Sequence, residues 1–225
     1  MAQEKVRCDA VLVDIDGTLV DSNDAHARAW VAAKRHGHEF PHDAVRPLIG
    51  KGGDKLLDEL LGFMPDSAEA RAISEDREEV FRSTELHALV PTPGARELLL
   101  KIKEAGLKVV VATSARAAET IALLKQVGLD DLIDHEANSG DATASKPHPD
   151  IVHSALKKAG ARPSTALMLG DTPYDVEAAR KADVWTIALR CGGWWNDSAF
   201  KGALAIYDTP RALMEAFDFT SSRGR

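Results

Sequence analysis

The sequence predicts an α/β fold, a doubly wound parallel sheet interrupted by an all-helical insertion. Three observations predict it. Short apolar runs of strand length alternate with segments of helical periodicity. Glycines 106, 128 and 160 stand where helices end. Between residues 22 and 90 the alternation stops and no convincing strand can be found.

The elements follow in order. Residues 10–13 form a continuous apolar run, as in a strand buried on both faces. The interval after it is about seventy residues long, and a connection of that length must carry structure of its own. Its pattern gives helices over 24–35, 55–61 and 66–86, entered and left through hinges near 20–23 and 89–94. Pro91-Thr92-Pro93-Gly94 punctuates the return to the sheet. Helices over 95–105, 117–127, 149–159 and 174–182 then alternate with strands over 107–112, 166–169 and 184–189. A shorter strand at 203–207 and a helix over 210–217 close the sheet, and residues 220–225 read as frayed. The chain divides into a core, residues 1–20 plus 92–225, and a helical unit, residues 21–91.

Composition narrows the function classes. At 225 residues the chain can bury a full core without staples. Hydrophobic content of 44% and charged content of 28% are those of a soluble globular protein. Cys8 and Cys191 lie too far apart in sequence for a disulfide framework or thiolate metal motif, and read as packing residues in a reducing compartment. The opening Met-Ala-Gln-Glu-Lys does not resemble a signal peptide. No run approaches the ~18 apolar residues of a membrane span. A formal charge of −7 disfavours nucleic acid as partner. A cytoplasmic protein is expected, with monomer and homodimer both open.

The chemistry begins where the first strand ends. Asp14 and Asp16 are two residues apart, so both leave the strand on the same side, and Gly17 allows an immediate turn. Two crowded carboxylates repel unless something positive lies between them, and hard oxygen ligands suit Mg²⁺. The strand at 107–112 ends on Thr113 and Ser114; such hydroxyls can donate to a phosphoryl oxygen or cap the next helix. Lys146 lies between Ser145 and Pro147, which holds it in a loop rather than on a solvated helix face. Asp171 and Asp175 follow the strand at 166–169, where either could instead serve the start of a helix. Ligands of open parallel sheets gather at the strands' carboxyl ends, where all these groups fall.

Asp-x-Asp-Gly-Thr-Leu-x-Asp-Ser at residues 14–22 resembles the first signature of the haloacid dehalogenase superfamily, the aspartate-nucleophile phosphatases. Thr113, the Lys146-Pro147 pair and Gly170-Asp171-x-x-x-Asp175 resemble its second, third and fourth signatures, in the correct order. The resemblance implies a Rossmann-like core under a helical cap and a hydrolase of small phosphorylated metabolites, with phosphoglycolate phosphatase-like activity one possibility. It implies Asp14 as nucleophile and Asp16 as general acid and base. Mg²⁺ would be held by Asp14, the Asp16 backbone carbonyl, Asp171 and, directly or through water, Asp175. Thr113, Ser114 and Lys146 would bind the phosphate. The acid at Asp16 favours phosphate monoesters over the carbon–halogen or carbon–phosphorus bonds cleaved by relatives that lack it.

Residues 21–30 also resemble the cap entrance of β-phosphoglucomutase-like members, so His26 is expected near the leaving group or Asp16. In the resembled family the cap loop matching the glycine-rich turn 50–53 contacts substrate, which implies that Lys51 reads a carboxylate or second phosphate, a solvated lysine on a glycine turn being the alternative. Gly53 stands where the sugar-phosphate mutase has an arginine, which weakens the mutase reading. A sugar phosphotransferase and a non-catalytic phospho-acceptor or binding module are the alternatives to a phosphatase.

Overall fold

The computed structural model describes residues 5–33, 37–64 and 67–221. The ends of two expected helices, residues 34–35 and 66, and the tail 222–225 lie outside them. The chain opens with β1 (Lys5–Cys8) and β2 (Ala10–Val13). The helical insertion follows: α1 (Asn23–Ala32), α2 (His42–Val45), α3 (Gly53–Leu61) and α4 (Ala68–Val80). The last of these runs on through a wide turn, Phe81–Glu85, and a tight one, Leu86–Ala88. The core resumes with α5 (Ala95–Glu104), β3 (Lys108–Ala112), α6 (Ala117–Gln126) and β4 (His135–Ala137). It continues through α7 (Asp150–Ala159), β5 (Ala166–Gly170), α8 (Pro173–Lys181) and β6 (Trp185–Leu189). Three short elements end it: β7 (Ala205–Tyr207), α9 (Pro210–Ala216) and β8 (Asp218–Ser221).

Six strands form one parallel sheet in the order β4-β3-β2-β5-β6-β7. Alternate residues of β2 serve opposite faces. Val11 and Val13 join Val109, Val111, Leu167 and Leu169 under α5, α6 and α9. Ala10 and Leu12 join Val110, Ala112 and Met168 against α7 and α8. The chain order reverses on either side of β2, which makes its carboxyl end the switch point where such sheets bind ligands. Register sharpens this. Val13 pairs with Val111 on one side and Leu169 on the other, so Asp14 emerges level with the ends of both neighbours.

The insertion holds no strand among its described residues, only isolated bridges. Trp30, Phe40, Val45, Leu56, Leu57 and Ile73 give it an apolar cluster of its own. Ser67 starts α4 by accepting from the Ala70 amide at 3.1 Å, and Gly62 ends α3 in the left-handed conformation at φ 68°. The two hinge segments are tied to each other. The Asp21 amide donates to Val90, the Thr92 amide to Leu19, and Thr92 Oγ1 to the Thr18 carbonyl at 2.7 Å.

Three differences from expectation have local causes. Residues 220–221, expected to be frayed, instead complete a strand over 218–221 that pairs in parallel with β1. The signal was present in the alternation Phe217-Asp218-Phe219, whose two rings are buried and 5.0 Å apart. The edge strand β4 is three residues long and largely polar, too short for periodicity to show. Thr113 does not cap the next helix: Arg116 stands at the start of α6, and Thr113 Oγ1 accepts from the Ala115 amide at 3.1 Å instead.

Candidate active site

Asp14, Asp171 and Asp175 converge beyond the carboxyl ends of β2 and β5, with ligand oxygens all within 4.8 Å of one another. All three are buried, and Lys146, fully enclosed, runs in among them. Its ammonium lies 2.6 Å from Asp14 Oδ1 and 2.7 Å from Asp175 Oδ1. The loop that presents Lys146 is braced from behind, since Asp150 Oδ2 accepts from the amides of Thr143 and Ala144 at 3.1 Å each. Asp175 closes a capping box with Thr172, accepting from its amide and hydroxyl at 3.1 and 2.7 Å. Thr172, not Asp171, therefore caps α8. Asp171 accepts from Thr18 Oγ1 at 3.1 Å and Asn23 Nδ2 at 2.7 Å.

Three carboxylates against one ammonium would, if all were ionised, leave two negative charges in a buried space. Burial pushes Asp14 well above the usual carboxylate range, Lys146 pulling it back and the other acids adding to the rise. Burial, and then Asp175, push Asp171 up to about 7. The Lys146 ammonium is itself held charged: burial opposes this, but Asp14 and Asp175 outweigh it. The cluster titrates as a unit. Asp14 Oδ2 is buried with no hydrogen-bond partner. Hard, crowded oxygen donors, a surplus of acids over the one ammonium and an orphaned carboxylate oxygen fit a divalent cation.

Asp16 has a different neighbourhood. Ser22 Oγ donates to its Oδ1 at 2.5 Å, and His26 Nε2 lies 2.7 Å from the same oxygen. Arg77 Nη1 approaches His26 Nδ1 at 3.4 Å, which leaves Nε2 to carry the proton toward Asp16. The imidazole stacks on Phe81 with centroids 4.1 Å apart. Burial opposes ionisation of Asp16, but His26 and Ser22 outweigh it and hold the carboxyl below its usual range.

A cavity opens over these groups, lined by Asp14, Asp16, His26, Lys51, Thr113 and Ser114, among others. Thr113 and Ser114 leave β3 at the level of Asp14; the Ser114 hydroxyl is shielded and without a partner. Each sequence-predicted site residue thus belongs to the carboxylate cluster or lines this cavity. Lys51 differs in detail from expectation: its ammonium is paired with Glu59 and lies 4.7 Å over the Tyr174 ring. Trp30, Arg77, Thr113 and Ser114 also line a wider cleft, which continues past Lys55, Arg71, Ser74 and Arg116.

The cap rests directly on the core. Ser145 Oγ donates to Asp54 at 2.7 Å, Tyr174 Oη donates to the Pro47 carbonyl at 2.6 Å, and Arg46 reaches the Gly192 carbonyl. Arg77 and Glu78 of α4 pair with Glu119 and Arg116 at 2.8 Å each. Gly50 touches down on Thr172, where a Cβ would come 2.6 Å from Cγ2. Sequence reasoning missed Arg77, Glu119, Thr18 and the role of Asn23. Arg77 sits among Glu75, Asp76, Glu78 and Glu79, a pattern that reads as a solvated helix face.

Comparison with known proteins agrees with this geometry. The family model of haloacid dehalogenase-like hydrolases matches residues 8–183. The N-acetylmuramic acid 6-phosphate phosphatase of Pseudomonas aeruginosa is 32% identical over 225 residues, covering 96% of this chain and 97% of that protein. A phosphoglycolate phosphatase of Caulobacter vibrioides is 31% identical, covering 81% of this chain and 79% of its own. A hydrolase from Pseudomonas syringae superposes with a TM-score of 0.85 at 28% identity, covering 92% of this chain and 96% of that one. The chain belongs to the haloacid dehalogenase-like hydrolase family.

Proposed function

We propose that this hydrolase is a Mg²⁺-dependent phosphatase that cleaves a small phosphorylated metabolite through an aspartyl phosphate on Asp14. The observation that carries the reading is the buried cluster of Asp14, Asp171 and Asp175 around one ammonium, beneath a cavity edged by free hydroxyl donors. Asp14, Asp171 and the Asp16 backbone carbonyl would hold the cation, which when bound supplies charge neutralisation for the nucleophile and the phosphoryl group. Asp175 is the weakest candidate ligand, because Lys146 and Thr172 already engage its oxygens.

The remaining steps use the chain's own groups. A carboxylate oxygen of Asp14 attacks phosphorus and the ester P–O bond breaks. Thr113, Ser114 and the third N–H of the Lys146 ammonium hold the phosphoryl oxygens in line. Asp16 gives a proton to the departing alkoxide, then takes one from a water whose oxygen attacks phosphorus. The P–O bond to Asp14 breaks, and phosphate leaves. His26 and Ser22 keep Asp16 ionised in the free protein; an incoming phosphate dianion raises its proton affinity and prepares it as the acid. The cap, taken as residues 21–91, excludes bulk water from the acyl phosphate.

The named substrates of two relatives, N-acetylmuramic acid 6-phosphate and phosphoglycolate, are both phosphorylated acids. Lys51 and Arg77, two cations that line the cavity, support an anionic or hydroxylated leaving group here. Two free cysteines suit a cytoplasmic setting, and among the described residues no helix is long and apolar enough to cross a membrane. A panel of phosphorylated acids and sugar phosphates, assayed with Mg²⁺ and with chelator, tests the proposal. Mg²⁺-dependent phosphate release is expected. Isomerisation of a sugar phosphate with a bisphosphate primer, without net release, would replace it with phosphotransfer.

A further inference from the structure

Asp171 is held from the cap's side. Its Oδ2 accepts from Nδ2 of Asn23, the first residue of α1 and hence of the first cap helix. The same Nδ2 lies 3.3 Å from the Gly192 carbonyl, to which Arg46 of the cap also donates. Gly192 in turn lies flush against Asp171: a Cβ there would come 1.8 Å from Oδ2. Cap helix, following loop and carboxylate thus form one contact set. Both acceptors face the amide nitrogen of Asn23, so its oxygen points elsewhere, and that oxygen is buried without a donor. An unpaired buried acceptor is costly. Mg²⁺ characteristically keeps several of its waters, and each water is a donor.

We propose that Asn23 is a positioning residue that couples cation binding at Asp171 to the seating of the cap. This rests on the reading of Asp171 as a cation ligand. Rotating α1 away breaks the Asn23–Asp171 bond and frees Oδ2 of the carboxylate, whose Oδ1 is still held by Thr18; binding the cation holds Asp171, and through it α1, in place. Such coupling is reciprocal. Loss of an orienting partner typically weakens metal affinity about 10–100-fold.

The test titrates MgCl₂ calorimetrically into the full chain and into Asn23→Ala, and follows amide exchange of α1 with and without saturating Mg²⁺. Asn23→Ser, which keeps a shorter donor, replaces the alanine variant if that fails to fold. The expected result is a Kd weaker by about tenfold or more in the variant, with Mg²⁺ slowing α1 exchange in the wild type only. An unchanged Kd, or Mg²⁺-induced protection of α1 retained in the variant, overturns the coupling. Tight Mg²⁺ binding by the wild type with no effect on α1 also overturns the coupling, and leaves the metal reading standing. No Mg²⁺ binding by the wild type overturns both.

Discussion

Raising the pH of the metal-free protein from 5 to 8 is expected to weaken its fold. Asp171, pushed up by burial and then by Asp175, titrates at about 7 in the folded chain against 3.8 in its ordinary setting. Between those values the folded state keeps a proton that the unfolded chain has released. Stability from this group is therefore full below the unfolded pKa and is lost as pH rises through the folded one. About two of the pH units between those values, from pH 5 to 7, fall inside this window, and at about 1.36 kcal/mol each they set a ceiling of about 2.7 kcal/mol, reached only in part because the acids share protons. For a chain of this length about 2–4 °C per kcal/mol applies, giving a fall in Tm of up to about 5–11 °C. Asp16 behaves oppositely. His26 and Ser22, outweighing burial, hold it low, so its contribution disappears only as pH falls below the ordinary carboxylate range, outside this window. The assay is thermal unfolding in chelator and in saturating Mg²⁺ across pH 5 to 8, with Asp171→Asn as control. Mg²⁺ should stabilise more at pH 8 than at pH 5, and the control should flatten the chelator curve. A wild-type curve that is flat or rising in chelator, or an Mg²⁺ increment equal at both ends, would refute the argument that the cluster carries surplus negative charge.

Other perturbations address the site's remaining parts. Lys146→Met strands two buried carboxylates and should cost about 3–5 kcal/mol in chelator, less at pH 5 than at pH 8; urea denaturation at the two pH values measures it, and a pH-independent cost would contradict the pairing. Arg77→Gln removes the 2.8 Å bond to Glu119 and the contact with His26, and kcat/KM should fall about tenfold or more with little change in Tm. Unaltered kinetics would place Arg77 outside the substrate's reach. Gly50→Ala forces a Cβ against Thr172 at a residue with φ 103°, and should cost about 1–3 kcal/mol while loosening the cap, read as faster amide exchange in α3; unchanged exchange would refute the touchdown.

Much of the core was legible because its chemistry is written at strand ends. Asp14, Thr113 and Asp171 each follow an apolar run, and a parallel sheet with Val13 paired to both Val111 and Leu169 brings those ends together. Lys146 was legible through its prolines, which keep it off a helix. The cap was less so. Arg77 meets Glu119 across 42 residues and Asn23 meets Asp171 across 148, and nothing in local periodicity encodes a distance of that kind. Lys51 shows the same limit: the glycine turn was evident, but not the Glu59 and Tyr174 that occupy its ammonium. The edge strand β4 escaped because it is three residues long and largely polar, too short to establish a period, whereas the equally short β7 lies within the apolar run read at 203–207.

The proposed phosphatase reaction requires a covalent intermediate on Asp14. Acid quench during steady-state turnover, followed by hydride reduction and peptide mass spectrometry, tests it directly, because reduction converts an aspartyl phosphate to homoserine. Homoserine at position 14, in samples given both substrate and Mg²⁺ and in no others, is the result predicted. Reduction at a different carboxylate, or undiminished turnover by Asp14→Asn, would contradict it.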